Sequence, residues 1–177
     1  MKVDEQGWVS GIAHMPSPNH DERTGGKVSL LVVHNISLPP EQFGGSGVQQ
    51  LFTNTLDPDE HPYYRTIAGL QVSAHFFIRR DGQVIQFVSC AQRAWHAGAS
   101  CWQGTEKCND YSLGVELEGS DTVPFTEVQY QRLRELTLLL RDHFGSLGIA
   151  GHSDIAPQRK TDPGPYFDWL RFLTSLS

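Results

Sequence analysis

The residues with the clearest capacity for chemistry stand inside or at the end of short apolar segments. His34 lies near the end of VSLLVVHNI, residues 28–36, and Glu116 lies inside LGVEL, residues 113–117. Both segments are typical of strands buried on two faces, where an unpaired charge is costly. We therefore expect His34 and Glu116 either to be paired with other groups or to face a cleft.

A third chemically rich segment is GHSDIAPQRKTDPGP, residues 151–165, which carries His152, Lys160 and Asp162 between glycines and prolines. Pro163 favours an extended conformation for the residue before it, and in an extended chain residues two apart point the same way. Lys160 and Asp162 are then expected to face one cleft. The alternative is a surface turn with scattered polar side chains.

His34, His152 and Asp162 together offer two imidazoles and one carboxylate. Three protein ligands with an open fourth position are the arrangement of a catalytic zinc site, so we predict one Zn²⁺ per chain. Zinc polarises a carbonyl and activates water. Glu116 would accept the proton of the activated water and donate it to the leaving amine, and Lys160 would stabilise the oxyanion at the attacked carbonyl. These residues together predict a metal-assisted amide hydrolase. Spacing along the chain does not itself bring these residues together, so their convergence is a prediction.

Other polar residues have weaker patterns. Asn35 follows His34 directly, and Trp95 and His96 lie in a long loop over residues 90–110, so we predict that these three side chains contact substrate. A competing metal site would use His96, Cys101 and Cys108. Structural zinc prefers closely spaced cysteine pairs, and this sequence has none, which disfavours that site.

Composition narrows the classes of function. The chain has 177 residues and a net charge of −6, which argues against a general binder of nucleic acid or anionic membranes. Three cysteines are too few to cross-link a fold of this size and indicate a reducing compartment. The acidic start of the chain does not resemble an export signal, and no apolar run approaches the roughly 18 residues of a membrane span. We predict a cytoplasmic monomer without nucleic-acid or membrane partners.

The pattern of apolar residues predicts one mixed α/β domain, with a central mixed β-sheet flanked by helices. Residues 1–27 are predicted to form an irregular arm, and residues 28–177 the catalytic core. Thr126 to Gln129 has the pattern of a capping box at the start of a helix that ends near Gly145. The remaining predicted elements are strands 28–36 and 113–117, a hairpin of 72–79 and 83–88 around Asp81-Gly82, a short helix near 48–52, a loop over 151–165 and a final helix over 165–176.

Five segments of the chain resemble the type 2 N-acetylmuramoyl-L-alanine amidases: LLVVHNISLPP, VSAHFFIRRDG, RAWHAG, CNDYSLGVELEG and GHSDIAPQRKTDPGP. The resemblance runs from about Trp8 to Trp169, and its motifs are specific in order and spacing. It implies the amidase and peptidoglycan-recognition fold. It also implies that His34, His152 and Asp162 bind zinc, that Glu116 is the catalytic acid and base, and that Lys160 stabilises the transition state, in agreement with the roles argued from the residues.

The resemblance further implies a substrate. Family members cleave the amide between the lactyl group of N-acetylmuramic acid and the L-alanine of the stem peptide. The likeness is greatest to cytosolic members that act on 1,6-anhydro-muropeptides during peptidoglycan recycling, which implies that substrate here. Relatives often carry Arg where this chain has Gln71 and Lys107, and Arg suits a carboxylate better than Lys does. Because Lys107 stands where relatives often have such an Arg, we predict that it contacts the acidic stem peptide.

Two other functions are compatible with the same fold. One is a peptidoglycan-recognition module that binds muropeptides without cutting them, which we would expect to lack a complete ligand set. The other is a periplasmic amidase that remodels intact peptidoglycan, which would need an export signal. The complete set of ligand and catalytic residues and the acidic N-terminus favour the cytosolic hydrolase.

Overall fold

The computed structural model describes residues 1–24 and 26–177, and these residues form a mixed β-sheet, two small antiparallel ribbons and several helices. The sheets contain ten strands in the described residues. The strands are β1 (Ala13–His14), β2 (His20–Glu22), β3 (Leu30–Ile36), β4 (Phe76–Ile78), β5 (Val84–Gln86), β6 (Gln92–Ala94), β7 (Cys101–Trp102), β8 (Thr105–Glu106), β9 (Ser112–Glu118) and β10 (Gly148–Gly151).

Helices cover both faces of the sheet. A single 3₁₀ turn, Cys108–Asp110, precedes β9. The α-helices are α1 (Gly47–Phe52), α2 (Pro62–Thr66), α3 (Glu127–Phe144), α4 (His152–Ile155) and α5 (Trp169–Thr174).

The main sheet has six strands in the order β1-β5-β4-β9-β3-β10. β4, β9, β3 and β10 run parallel to one another, whereas β5 is antiparallel to β4 and parallel to β1. β2 pairs with β6, and β7 pairs with β8, as separate antiparallel ribbons. The predicted class, a mixed α/β domain with a central mixed sheet, is confirmed.

Alternate residues of β3 enter different hydrophobic clusters on the two faces of the sheet. Leu31 and Val33 pack with Leu133, Leu136 and Leu140 of α3. Leu30 and Val32 instead pack with Ile155 of α4 and neighbouring loop residues. Because side chains alternate along a strand, His34 shares the face of Leu30 and Val32. The polar end of β3 therefore faces away from α3.

The start of α3 confirms the predicted capping box. The Thr126 hydroxyl accepts from the Gln129 backbone N–H at 3.3 Å, and the Gln129 side chain accepts from the Thr126 N–H at 3.0 Å. The Gln129 amide also donates to the carbonyls of Ile78 and Glu118, which fastens the helix to β4 and β9. Among residues 1–24 and 26–177, no helix combines the length and apolar character needed to cross a membrane.

The last helix is shorter than the predicted range 165–176. Phe167 turns into the core and is 4% exposed, and the Asp168 side chain accepts from the Arg171 N–H at 2.9 Å as an N-cap. The helix therefore begins at Trp169, because the residues before it are committed to a turn and to core packing.

Three segments predicted to be irregular contain regular structure. The arm over residues 1–27 includes β1 and β2, the long loop over 90–110 includes β6, β7 and β8, and the loop over 151–165 includes α4. These elements have two to four residues each, so they are too short to show a period in the sequence. Pairing with neighbouring strands stabilises most of them, as β5 does for β1.

Candidate active site

Parallel pairing brings three chemically important residues to one end of the sheet. His34 of β3 pairs directly with Glu116 of β9, so the two side chains lie on the same face. Gly151 of β10 pairs with Val33, which brings the next residue, His152, level with His34. In open α/β sheets this carboxyl end of the parallel strands is the usual place for a ligand.

The predicted metal ligands converge. The His34 Nδ1 lies 2.9 Å from the His152 Nδ1, and each of these nitrogens lies 3.0 Å from the Asp162 Oδ2. The two histidines are 1% and 3% exposed and Asp162 is 15% exposed. Two imidazole nitrogens and a carboxylate oxygen this close together form a triangle of donors that could hold a metal ion.

The hydrogen bonds around His152 give a test of whether a metal fits. The His152 Nε2 lies 3.1 Å from the Ala97 carbonyl oxygen and must donate to it, because a carbonyl only accepts. A metal could then be bound through the lone pair of Nδ1, which lies 3.0 Å from the Asp162 carboxylate oxygen. Two electron-rich atoms in a buried site favour a cation between them, and nitrogen with carboxylate oxygen is a donor set that zinc accepts.

The charges in this triangle are strongly perturbed. Burial lowers the pKa of His34 to about 4, although its hydrogen bond to Asp162 acts in the opposite direction. Burial would raise the pKa of Asp162, but the close contacts with His152 and His34 outweigh it and hold that pKa well below its usual range. At neutral pH His34 is therefore neutral and Asp162 ionised, which are the forms that bind a metal.

Two backbone contacts hold the loop that carries Asp162. The Ser153 N–H donates to the Asp162 carbonyl at 2.9 Å. The Asn35 side-chain amide donates to the Pro163 carbonyl at 3.0 Å and to the Asp121 carboxylate at 2.8 Å. Asn35 also lines the adjoining cleft. Its amide nitrogen is engaged by the protein, and the contact of Asn35 with substrate stays a prediction.

Glu116 and Lys160 open into the same cleft as the triangle. Glu116 is 9% exposed, and its Oε2 has no hydrogen-bond partner among the described residues. Burial raises the pKa of Glu116 well above its usual range, the charge of Asp162 raises it further, and Lys160 opposes the shift. A buried, unpartnered carboxyl beside a cleft is well suited to exchange protons.

The competing metal site of His96, Cys101 and Cys108 does not form. Within the described parts of the chain, the side chains with converging ligand atoms are His34, His152 and Asp162. The Cys108 sulfur instead contacts the Tyr111 hydroxyl at 3.2 Å, and Cys101 is exposed.

The cleft beside the triangle has a volume of about 250 Å³. Trp95 and His96 line it, and their contact with substrate stays a prediction. Lys107 lies in a second groove of about 640 Å³ that Arg159 also lines. The cleft also has an apolar wall formed by Tyr63, Ile67 and Leu70, which the sequence does not predict. Tyr63 belongs to α2 and Ile67 and Leu70 follow that helix, and their sequence carries no chemical pattern that indicates a cleft wall.

Comparisons with known proteins agree with this geometry. The sequence profile of the N-acetylmuramoyl-L-alanine amidase family matches residues 24–165, a range that contains the triangle, Glu116 and Lys160. The chain is 54% identical over 176 residues to the 1,6-anhydro-N-acetylmuramyl-L-alanine amidase AmpD of Enterobacter cloacae, covering 98% of this chain and 94% of the relative.

Solved structures resemble the whole fold. A crystal structure of a selenomethionine derivative of AmpD matches with a TM-score of 0.96 at 51% identity, covering 100% of both chains. AmiD from Escherichia coli, in complex with anhydro-N-acetylmuramic acid-L-Ala-D-γ-Glu-L-Lys, matches with a TM-score of 0.60 at 29% identity. That match covers 86% of this chain and 59% of AmiD.

Proposed function

This chain belongs to the N-acetylmuramoyl-L-alanine amidase family, and from that premise we propose that it hydrolyses 1,6-anhydro-muropeptides with the help of one zinc ion. The bond cleaved is the amide between the lactyl group of the anhydro-sugar and the L-alanine of the stem peptide. Similarity to AmpD over nearly the full chain and to an AmiD complex with an anhydro-muropeptide supports this substrate. The observation that carries the proposal is the 2.9–3.0 Å triangle of donor atoms with Glu116 in the adjoining cleft.

His34, His152 and Asp162 are the residues that would hold the zinc ion. When bound, zinc supplies Lewis-acid chemistry to the amide carbonyl and to the attacking water. His152 and Asp162 line the cleft, whereas His34 is buried behind the cleft wall, so we propose that substrate approaches the site from the cleft.

Glu116 is proposed to move the proton. Its carboxylate takes a proton from the attacking water and returns it to the nitrogen of the departing L-alanine. The absence of a hydrogen-bond partner on its Oε2 among the described residues supports this role, because a carboxylate held by structural hydrogen bonds is a weaker base.

Lys160 is proposed to stabilise the oxyanion that forms at the attacked carbonyl. Its side chain lines the cleft together with Glu116 and Asp162. A fixed positive charge in a partly buried site stabilises a developing negative charge more than it would in water.

Further residues are proposed to bind the rest of the substrate, according to the cleft or groove that they line. Asn35, Trp95 and His96 line the cleft and are proposed to lie near the sugar and the first residues of the peptide. Lys107 lies in the second groove with Arg159 and is proposed to attract the acidic end of the stem peptide. We further propose that the protein acts as a monomer in the cytoplasm, where recycled wall fragments are found.

The experiment that tests this function compares three substrates with one preparation. Purified zinc-loaded protein is incubated with anhydromuramyl-tripeptide, with the reducing-end muramyl-tripeptide, and with intact sacculi, and released peptide is measured by mass spectrometry. We expect rapid release from the anhydro-muropeptide and little from sacculi.

Each outcome separates this function from its alternatives. Binding of the anhydro-muropeptide without release of peptide would identify a recognition module instead, and preferential cleavage of sacculi would identify a wall-remodelling amidase. Lys160→Met should lower the rate of peptide release. Lys2→Met, at an exposed lysine near the start of the chain, is the matched control.

A further inference from the structure

His96 forms the middle of a chain of three buried polar side chains. The His34 Nε2 lies 3.0 Å from the His96 Nδ1, and the His96 Nε2 lies 3.1 Å from the Ser112 hydroxyl. The two rings meet edge to face with centroids 5.1 Å apart. His96 thus contacts the nitrogen of His34 that points away from the candidate metal centre.

The direction of these hydrogen bonds follows from the chemistry of metal binding. To bind a metal through Nδ1, a neutral His34 must carry its proton on Nε2 and donate it to the His96 Nδ1. His96 then carries its own proton on Nε2 and donates it to the Ser112 hydroxyl. The opposite direction would place a proton on the His34 Nδ1, where it would exclude the metal.

The surroundings of His96 fix its ring in this position. The Asn109 side-chain oxygen accepts from the backbone N–H groups of both His96 and Ala97, at 3.2 and 2.8 Å. Gly114 lies directly beneath the ring, and a Cβ there would come within 2.5 Å of the His96 Cγ. The same short segment also orients His152, through the Ala97 carbonyl.

We propose that His96 is a positioning residue that holds His34 in the tautomer and orientation required to bind zinc. The inference rests on the proposed function, because it assumes that His34 is a zinc ligand, and it assigns His96 a role in addition to its place in the cleft wall. Outer partners of metal-binding histidines are usually carboxylates, carbonyls or water, so an imidazole in this place distinguishes the site. Loss of such a partner typically weakens metal binding about 10–100-fold.

The first test needs no variant. Nitrogen-15 NMR of the zinc-loaded protein should show a protonated Nε2 on His34, a protonated Nε2 on His96, and scalar coupling across the hydrogen bond to the His96 Nδ1. A proton found on the His96 Nδ1 in the zinc-loaded protein would overturn the proposal.

The second test measures zinc affinity by competition with a chromogenic chelator. His96→Phe keeps a ring of similar size but removes the acceptor, so zinc should bind about 10–100-fold more weakly. His96→Asn places an amide oxygen near the position of Nδ1 and should recover most of the affinity. His143→Phe, at an exposed histidine of α3, is the matched control and should bind zinc like the unmodified protein.

The outcomes separate this inference from the proposed function. Zinc binding by His96→Phe within twofold of the unmodified protein would refute the positioning role and leave the hydrolytic function intact. Tight zinc binding by the unmodified protein without hydrolysis of muropeptide would refute the function and leave the positioning role intact. If His96→Phe does not fold, the tautomers of the unmodified protein decide the question.

Discussion

A methyl group added at Gly114 should disturb the candidate metal centre without touching a ligand. Gly114 lies in β9 beneath the His96 ring, and a Cβ at this position would meet the ring atoms Cγ, Nδ1 and Cδ2 at 2.5, 2.7 and 2.8 Å. Ordinary contact begins near 3.4 Å, so in Gly114→Ala the ring must move outward by about 0.9 Å.

This displacement is large compared with the tolerance of a hydrogen bond. The contact between the His34 Nε2 and the His96 Nδ1 is 3.0 Å, and hydrogen bonding is lost at about 3.6 Å. We therefore expect Gly114→Ala to weaken zinc binding about 10–100-fold, the range measured for lost outer partners. Overpacking should also lower the free energy of unfolding by about 1–3 kcal/mol.

Both quantities are measured on the same preparation, zinc affinity by chelator competition and stability by urea denaturation of the zinc-free protein. Gly45→Ala is the matched control, because a Cβ there meets nothing closer than the Leu38 carbonyl at 4.0 Å. Zinc affinity in Gly114→Ala equal to that of Gly45→Ala would refute the argument that His96 must stay in place.

Three further predictions concern catalysis, stability and pH. Glu116→Gln should lower kcat about 10²–10⁴-fold. Zinc affinity should change little, because Glu116 contributes no atom to the triangle of donor atoms. Glu135→Gln, at an exposed glutamate of α3, is the control, and an equal loss of kcat in that variant would contradict the role of Glu116. Thr126→Ala removes the hydroxyl that caps α3 and should lower the free energy of unfolding, measured by urea denaturation, by about 1 kcal/mol. An unchanged free energy of unfolding would contradict this prediction. Burial lowers the pKa of His75 in the folded protein to about 3. As the pH falls, His75 is therefore protonated in the unfolded chain before it is protonated in the folded protein, and the free energy of unfolding should decrease between about pH 6.5 and pH 3. Near pH 5, the free energy of unfolding of zinc-free His75→Asn should depend on pH less steeply than that of the unmodified zinc-free protein, by up to about 1.4 kcal/mol per pH unit. Equal slopes in the two proteins would show that His75 is not the buried neutral base.

The parts of the fold that follow from local patterns could be predicted from the sequence. The continuous apolar run of β3 indicates a strand covered on both faces, and it is buried between two hydrophobic clusters. α3 begins where the capping box predicts, because the Thr126 and Gln129 side chains satisfy backbone groups that lie within the same turn. His34 and Glu116 could be proposed as site residues because polar side chains inside apolar strands are costly unless they are paired or face a cleft.

The remaining features depend on contacts between distant parts of the chain. β1 has two residues and exists because β5 offers it an edge, which no local pattern records. The role proposed for His96 has no local signal in the sequence, because its two partners, His34 and Ser112, are 62 and 16 residues away. Likewise, no local pattern indicates that Lys107 lies in a groove of its own beside Arg159, and its contact with the stem peptide stays a prediction.

We propose that one zinc ion held by His34, His152 and Asp162 supports amide hydrolysis in this cleft. The most direct test of this proposal is a titration of zinc-free protein with zinc, with the initial rate of peptide release from anhydromuramyl-tripeptide as the signal. We expect the rate to rise linearly with added zinc and to level off at one equivalent, with no comparable rise in Asp162→Asn. Full activity of the unmodified protein without any added zinc, or an undiminished rise in Asp162→Asn, would contradict the proposal.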